Sequence, residues 1–358
     1  MGTHILMPSL RSLTSRASKS LALLFLGSAF LVAGCNREPL PTALIFSSTR
    51  LPTIRPSVIP STAPTLTPSS TPDPYLGLMI DEMRSRSYGE GTLEIESSMA
   101  TYSRFTRLLF SYPSDGLQLY GFMNVPNTGG PRPVVLVLHG FVTTATYRTL
   151  TYTRVYADAL ANAGYFVIHP NYRNHPPSED GPNPFRIGYA IDVLNLLALV
   201  RQQAGEGALE KADAENIGLL GHSMGGGITL RVITIDPEID AAVLYGSMSA
   251  DERRNYEQLI IWIGEGEEEL NTPKEVLRGI SPLFHLEYIE AATSIHYGTA
   301  DPIVPPEWSE ELCSLLDAFG ISFECFSYPD QPHIFNGEGY NLFMQRVLQF
   351  FDLRLGAP

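Results

Sequence analysis

Cysteine is almost missing from this chain of 358 residues, which has only Cys35, Cys313 and Cys325. Three are too few for a disulfide scaffold, so the fold has to rest on a hydrophobic core. No cysteine or histidine cluster has zinc-ligand spacing, and the glycines at 225 to 227 lack the lysine and hydroxyl of a phosphate-binding loop. Neither a metal nor another cofactor is expected. Positive charge is scarce too: 24 Lys and Arg against 38 Asp and Glu give a formal net charge of −14. A surface this acidic argues against nucleic acid as a partner. The apolar run from Leu21 to Val32 is too short to read as a membrane-spanning helix.

That run follows Arg11, Arg16 and Lys19, with no acid before it, and leads into Ala33-Gly34-Cys35. This is the order of a secretory leader. The stretch Leu31-Val32-Ala33-Gly34-Cys35 resembles the lipobox of bacterial lipoproteins. The resemblance implies that residues 1–34 are removed and that Cys35 carries acyl groups, giving an extracytoplasmic protein anchored to a membrane. Cleavage there removes three positive charges and no negative ones, so attachment is expected from lipid rather than from basic residues. Residues 35–74 are dense in Pro, Thr and Ser, a composition that buries no core and favours extended chain. As a linker they span up to roughly 100 Å at about 3.1 Å per residue.

Residues 75–358 suffice for one large α/β domain. Residues 106 to 112 and 117 to 124, joined by Pro113-Ser114-Asp115-Gly116, read as a hairpin. Near-continuous apolar runs then alternate with helix-length segments: Val134 to Leu138, Tyr165 to Ile168, Ile217 to Leu220, Ala241 to Tyr245, Ser294 to Tyr297 and Ser322 to Tyr328. Strands apolar on both faces belong in a sheet covered on both sides, which predicts a mostly parallel, doubly wound sheet with an antiparallel N-terminal hairpin. Helical stripes are expected around Val155, Ala159 and Leu160 and along Ile187, Ile191, Leu194, Leu197 and Ala198. Between Ser249 and Ser281 the pattern breaks into acidic and short helical pieces, an excursion on the active-site edge suited to a lid or a substrate wall, or to a solvated surface. Cys313 and Cys325 fall in a predicted helix and the next strand, and whether they pair stays open.

The chemistry is concentrated in Gly221-His222-Ser223-Met224-Gly225, placed directly after an apolar strand and before a helix. In such a nucleophile elbow the serine takes a strained backbone conformation, and small residues two before and two after let neighbouring chain pass close by. A serine hydroxyl needs a base, and the base needs a carboxylate to fix its tautomer. Asp301 follows one apolar strand and His333 follows the next. His169, His175, His222, His285 and His296 are rival bases, less favoured by position, and Asp330 is a rival acid that reads better as a turn residue. The oxyanion would be held by the N–H of Met224 and that of Phe141, whose loop follows the strand ending at Leu138; Gly140 permits its turn and His139 braces it.

From about Thr106 onward the chain resembles the catalytic domain of prolyl oligopeptidase-type serine peptidases, a branch of the α/β-hydrolase fold close to dienelactone hydrolase-like enzymes. The matching pieces are Ser111 to Gly116 with Tyr120-Gly121-Phe122, His139-Gly140, Asn171-Tyr172-Arg173, Gly221 to Gly226, Gly298 to Asp301 and Pro332-His333. The resemblance implies Ser223, Asp301 and His333 as nucleophile, acid and base, acting on a peptide or small ester substrate. His222 and Met224 are closer to the elbow residues of esterases and lipases, which makes a carboxylesterase the second expectation. Residues 75 to 105 are too short for the β-propeller of the large peptidases, and Asn174 to Ser178 replace their glycine-rich run. A binding lipoprotein that keeps the scaffold without catalysis is the expectation of another class.

Overall fold

The computed structural model describes residues 73–358. The expected leader of residues 1–34, Cys35 and the linker as far as residue 72 lie outside the described residues. Among the described residues nine strands form one sheet: β1 Glu94–Thr101, β2 Phe105–Ser114, β3 Leu117–Pro126, β4 Arg132–Leu138, β5 Phe166–Pro170, β6 Ala212–His222, β7 Ala241–Tyr245, β8 Ala292–Gly298 and β9 Phe323–Tyr328. Their order is β1-β2-β3-β5-β4-β6-β7-β8-β9. Pairing is antiparallel from β1 through β3 to β5 and parallel from β5 onward.

The hairpin and all six apolar strands stand where the sequence predicts them. Strand β1 was not foreseen, because none of its residues is buried and it carries no alternation to read. It is an edge strand held by backbone pairing to β2 through two register shifts, the irregularity by which exposed edges avoid further pairing.

The helices are α1 Ile80–Arg84, α2 Arg154–Ala163, α3 Ile187–Gln203, α4 Met224–Ile235, α5 Glu252–Ile263, α6 Glu267–Leu270, α7 Lys274–Ile280, α8 Pro306–Phe319 and α9 Gly337–Leu355. Alternate residues of β4 sort onto two cores, as the two-residue period of a strand requires. Val134, Leu136 and Leu138 belong to the core that α3, α4 and α8 help to cover, whereas Val135 and Val137 belong to the one covered by α2 and α9. Each run is apolar throughout because both its faces are covered. Helix α3 is buried nearly all round, beyond the stripe expected of it. In α2 the buried side is Tyr156, Ala157, Leu160 and Ala161, while Val155 is exposed, so the stripe read from Val155 is one residue out of phase.

Two of the three glycines opening α4 answer to packing. A Cβ on Gly225 would enter the backbone at Leu138 and His139, and one on Gly226 would lie 2.7 Å from the side chain of Ser247. The roughly 1 kcal/mol that each glycine costs a helix is accepted where an alanine would push the helix off the sheet.

Cys313 on α8 and Cys325 on β9 form a disulfide, resolving what their spacing left open. It closes a segment with a sequence separation of 12 across the turn that links these elements. Chain-entropy arguments assign such a loop about 2–3 kcal/mol. Replacing both cysteines by serine is expected to lower the unfolding free energy by about that amount, read from urea midpoints; an unchanged midpoint would contradict the linkage.

Candidate active site

Strands β4, β6, β8 and β9 run parallel, so their C-terminal ends lie along one edge of the sheet. The predicted residues come from the loops that leave those ends. Ser223 follows β6 with φ 57° and ψ −119°, a conformation that costs a non-glycine residue about 1–3 kcal/mol. It is held by its backbone: its N–H donates to Tyr245 C=O at 2.9 Å, and its C=O accepts from the N–H groups of Gly226 and Met248 at 2.9 and 3.1 Å. Neither flanking glycine tolerates a side chain, because a Cβ on Gly221 would enter Gly225 C=O and the Thr229 hydroxyl, and one on Gly225 would enter β4. The Ser223 side chain does not cap α4, so its hydroxyl is not consumed by the helix it precedes.

Asp301 and His333 are brought together. Asp301 Oδ2 accepts from His333 Nδ1 at 2.7 Å, and Oδ1 accepts from the N–H groups of Ile303 and Val304 at 2.8 and 3.0 Å. Because the carboxylate only accepts, Nδ1 carries the proton and Nε2 presents a lone pair. Gly246 lies against this pair: a Cβ there would sit 3.3 Å from His333 Nδ1. Among the described residues the Ser223 hydroxyl makes no hydrogen bond, a looseness common before substrate closes such a site. Asp330 is exposed, with φ 59°, and its N–H bonds to Thr299 Oγ1, so it is the turn residue that the sequence suggested.

Two residues of the sheet edge pin the His333 loop. His222 Nε2 donates to His333 C=O at 2.9 Å, and the Tyr245 hydroxyl accepts from Phe335 N–H. With Nε2 as donor, His222 Nδ1 must accept, and it takes the Tyr152 hydroxyl at 2.5 Å. Burial, with His333 nearby, pushes the His222 pKa down to about 3, so this ring is neutral and acts as a brace rather than a base. Tyr152 was missed, since nothing in the sequence of the loop after β4 singles it out.

Gly140 and Phe141 follow β4. Here the expected reason for Gly140 is corrected: its φ is not positive, and its missing side chain makes room for the Tyr152 hydroxyl and for Ser223 Cβ, 3.1 Å from where its own Cβ would lie. His139 Nδ1 donates to Gly140 C=O at 2.8 Å, and its ring stacks on Tyr172 at 4.2 Å. That bond fixes the peptide plane between residues 140 and 141, whose N–H, on Phe141, must point away from the His139 ring. Among the described residues the N–H groups of Phe141 and Met224 donate to no protein acceptor, leaving both free for a ligand oxygen.

Beside the elbow lies a cleft of about 40 Å³ lined by Met224, Gly227, Ile228 and Arg231 along one face of α4, with Phe185, Arg186, Met248, Glu252 and Asn255 opposite. Glu252 and Asn255 belong to α5, so the excursion between β7 and β8 does supply a wall of this cleft. Its acidic run is mostly exposed in and around α6. No group of three or more His, Cys, Asp or Glu among the described residues is arranged to hold a metal ion.

His139, His169 and His296 are also buried and held neutral, His169 near 4 and His296 near 3, with burial the main cause throughout. Above pH ~6.5 these rings are neutral in both folded and unfolded chains, and their contribution is complete. As pH falls below that, the unfolded chain takes up protons that the folded one refuses, costing about 1 kcal/mol per histidine per pH unit. Urea midpoints are therefore expected to fall steeply between about pH 6.5 and pH 4.5; equal midpoints across that window would contradict the assignment of neutral rings.

Residues 133–267 match the family model described as alpha/beta hydrolase fold. Solved structures of the same architecture include acetyl xylan esterase 1 of a Thermoanaerobacterium species, at 17% identity and a TM-score of 0.56 over 76% of this chain and 90% of that one. The acylaminoacyl peptidase of Pyrococcus horikoshii matches at 21% identity and 0.59, over 72% of this chain and 44% of its own. An esterase of Pyrococcus furiosus matches at 18% and 0.54, over 75% and 100%. The chain thus spans less than half of that peptidase and almost the whole of both esterases.

Proposed function

This is an α/β-hydrolase-fold chain, and on that premise we propose that it is a serine hydrolase that works through an acyl-enzyme. The observation carrying the proposal is the buried Asp301–His333 hydrogen bond of 2.7 Å on the loops beside a serine held at φ 57°. His333 Nε2 takes the proton of Ser223, whose oxygen forms a bond to the carbonyl carbon of an ester or amide. The carbonyl oxygen becomes an oxyanion facing the N–H groups of Met224 and Phe141. The bond to the leaving group breaks as His333 returns the proton to it, and water, activated by the same ring, then releases the acid. Asp301 holds the imidazole in the required tautomer and stabilises its charged form.

The sequence motifs favour a peptidase of the prolyl oligopeptidase type. The elbow residues His222 and Met224, closer to those of esterases and lipases, favour ester cleavage as the second reading. Parallel assays on short acyl esters and peptidyl amides separate the two, turnover of esters alone excluding the peptidase. For residues 1–74 the proposal remains a leader of 1–34, a lipid on Cys35 and a linker to the catalytic domain of residues 75–358, which would hold the enzyme outside the cytoplasm. Labelling with a radioactive fatty acid that is lost in Cys35→Ser checks it.

The Ser223→Ala variant is expected to fold normally and to lose at least about a thousandfold in kcat. Asp301→Asn is expected to lose about a hundredfold or more, because the wrong imidazole tautomer is then favoured. Undiminished turnover in Ser223→Ala would remove this serine from the mechanism.

A further inference from the structure

The cleft beside the elbow carries an unbalanced charge. Three ionic side chains line it: Arg231, Glu252 and Arg186. Arg231 is buried and already satisfied, one nitrogen donating to Ile280 C=O and another paired with the Glu252 carboxylate. Glu252 is further engaged by Asn255 at 3.3 Å. Arg186 has no carboxylate within ion-pair distance among the described residues. Its guanidinium lies 5.9 Å from the ring centre of Tyr256. The cleft therefore holds one uncompensated positive charge in a chain whose formal charge is −14. The remaining lining is largely apolar: Phe185, Met224, Ile228 and Met248.

The chain goes to some length to place Arg186 there. Phe185 and Arg186 are consecutive non-glycine residues with φ of 52° and 58°, a conformation neither adopts without cost. The loop that carries them is tied down by a buried ion pair: Arg173, which precedes it, bonds Asp192 of α3 through two nitrogens at 3.0 and 2.7 Å and donates to Pro182 C=O at 2.8 Å. Gly188 leaves space for that arginine, since a Cβ there would approach its Cδ to 2.8 Å. The segment is thus built as a rigid presenter of two side chains, one apolar and one cationic.

We infer that this cleft selects substrates whose acyl group ends in a carboxylate, with Arg186 as the residue that determines this specificity; the inference rests on the acyl-enzyme reading of Ser223. Met224, whose N–H is the proposed oxyanion donor, also lines this cleft, so the cleft opens beside an acyl group carried by Ser223. A methylene spacer suits the Met224, Met248 and Ile228 walls. A terminal carboxylate meets the planar fork of Arg186, which binds that group in a bidentate manner better than an ammonium would.

Ethyl hydrogen succinate and ethyl butyrate test this directly, because they differ only in a carboxylate in place of a terminal methyl. Titration of the acid released gives kcat/KM for each. The ratio of succinate to butyrate is expected to exceed about ten in the native enzyme, to fall at least about tenfold in Arg186→Gln, and to fall less in Arg186→Lys. A native ratio below one, or a ratio unmoved by Arg186→Gln, overturns the assignment while leaving the acyl-enzyme reading intact, since butyrate is still hydrolysed. Turnover of neither ester overturns the assignment, and the acyl-enzyme reading falls with it only if the folded protein also fails to cleave peptidyl amides and to take a fluorophosphonate on Ser223.

Discussion

A serine at φ 57° is the constraint around which the rest of this structure is arranged. It persists only because the surrounding backbone over-determines it, and that requires neighbouring chain to come closer than side chains allow. Gly221, Gly225 and Gly226 each stand where a Cβ would meet Thr229, β4 or Ser247, and Gly140 and Gly246 keep space beside Ser223 and His333. A parallel sheet whose strand ends share one edge is what makes such an arrangement attainable from residues more than a hundred positions apart.

A second layer consists of histidines that do not titrate near neutrality. His222 and His139 each use one nitrogen on a backbone carbonyl, of His333 in one case and Gly140 in the other. Burial keeps both rings neutral, so the bonds have a fixed direction. The elbow histidine positions the loop of the proposed base, and the one after β4 orients the peptide of a proposed oxyanion donor. His333, with Asp301 on Nδ1, keeps its other nitrogen for chemistry beside the proposed nucleophile.

Much of this was legible in the sequence for a physical reason. Apolar runs covered on both faces announce parallel strands, and a parallel sheet sends the loops after them to one edge, so Ser223, Asp301 and His333 could be named from their places after successive runs. What escaped lacked a local signature. Strand β1 has no buried face, so no alternation marks it. Tyr152 and Arg186 matter through neighbours distant in sequence, and the turn that exposes Arg186 is strained rather than glycine-rich. The spacing of Cys313 and Cys325 did not fix the 6.3 Å between their Cα atoms, which is what decides whether two cysteines can be bridged. Gly140 was read as a turn former, yet its role is to leave space.

The most direct measurement of the central claim is peptide mapping by mass spectrometry after reaction of the folded protein with a fluorophosphonate. The account predicts a single covalent adduct on Ser223, abolished by prior unfolding in urea because the conformation and the His333 base are then lost. An adduct on any other residue, or none on folded protein, would contradict it.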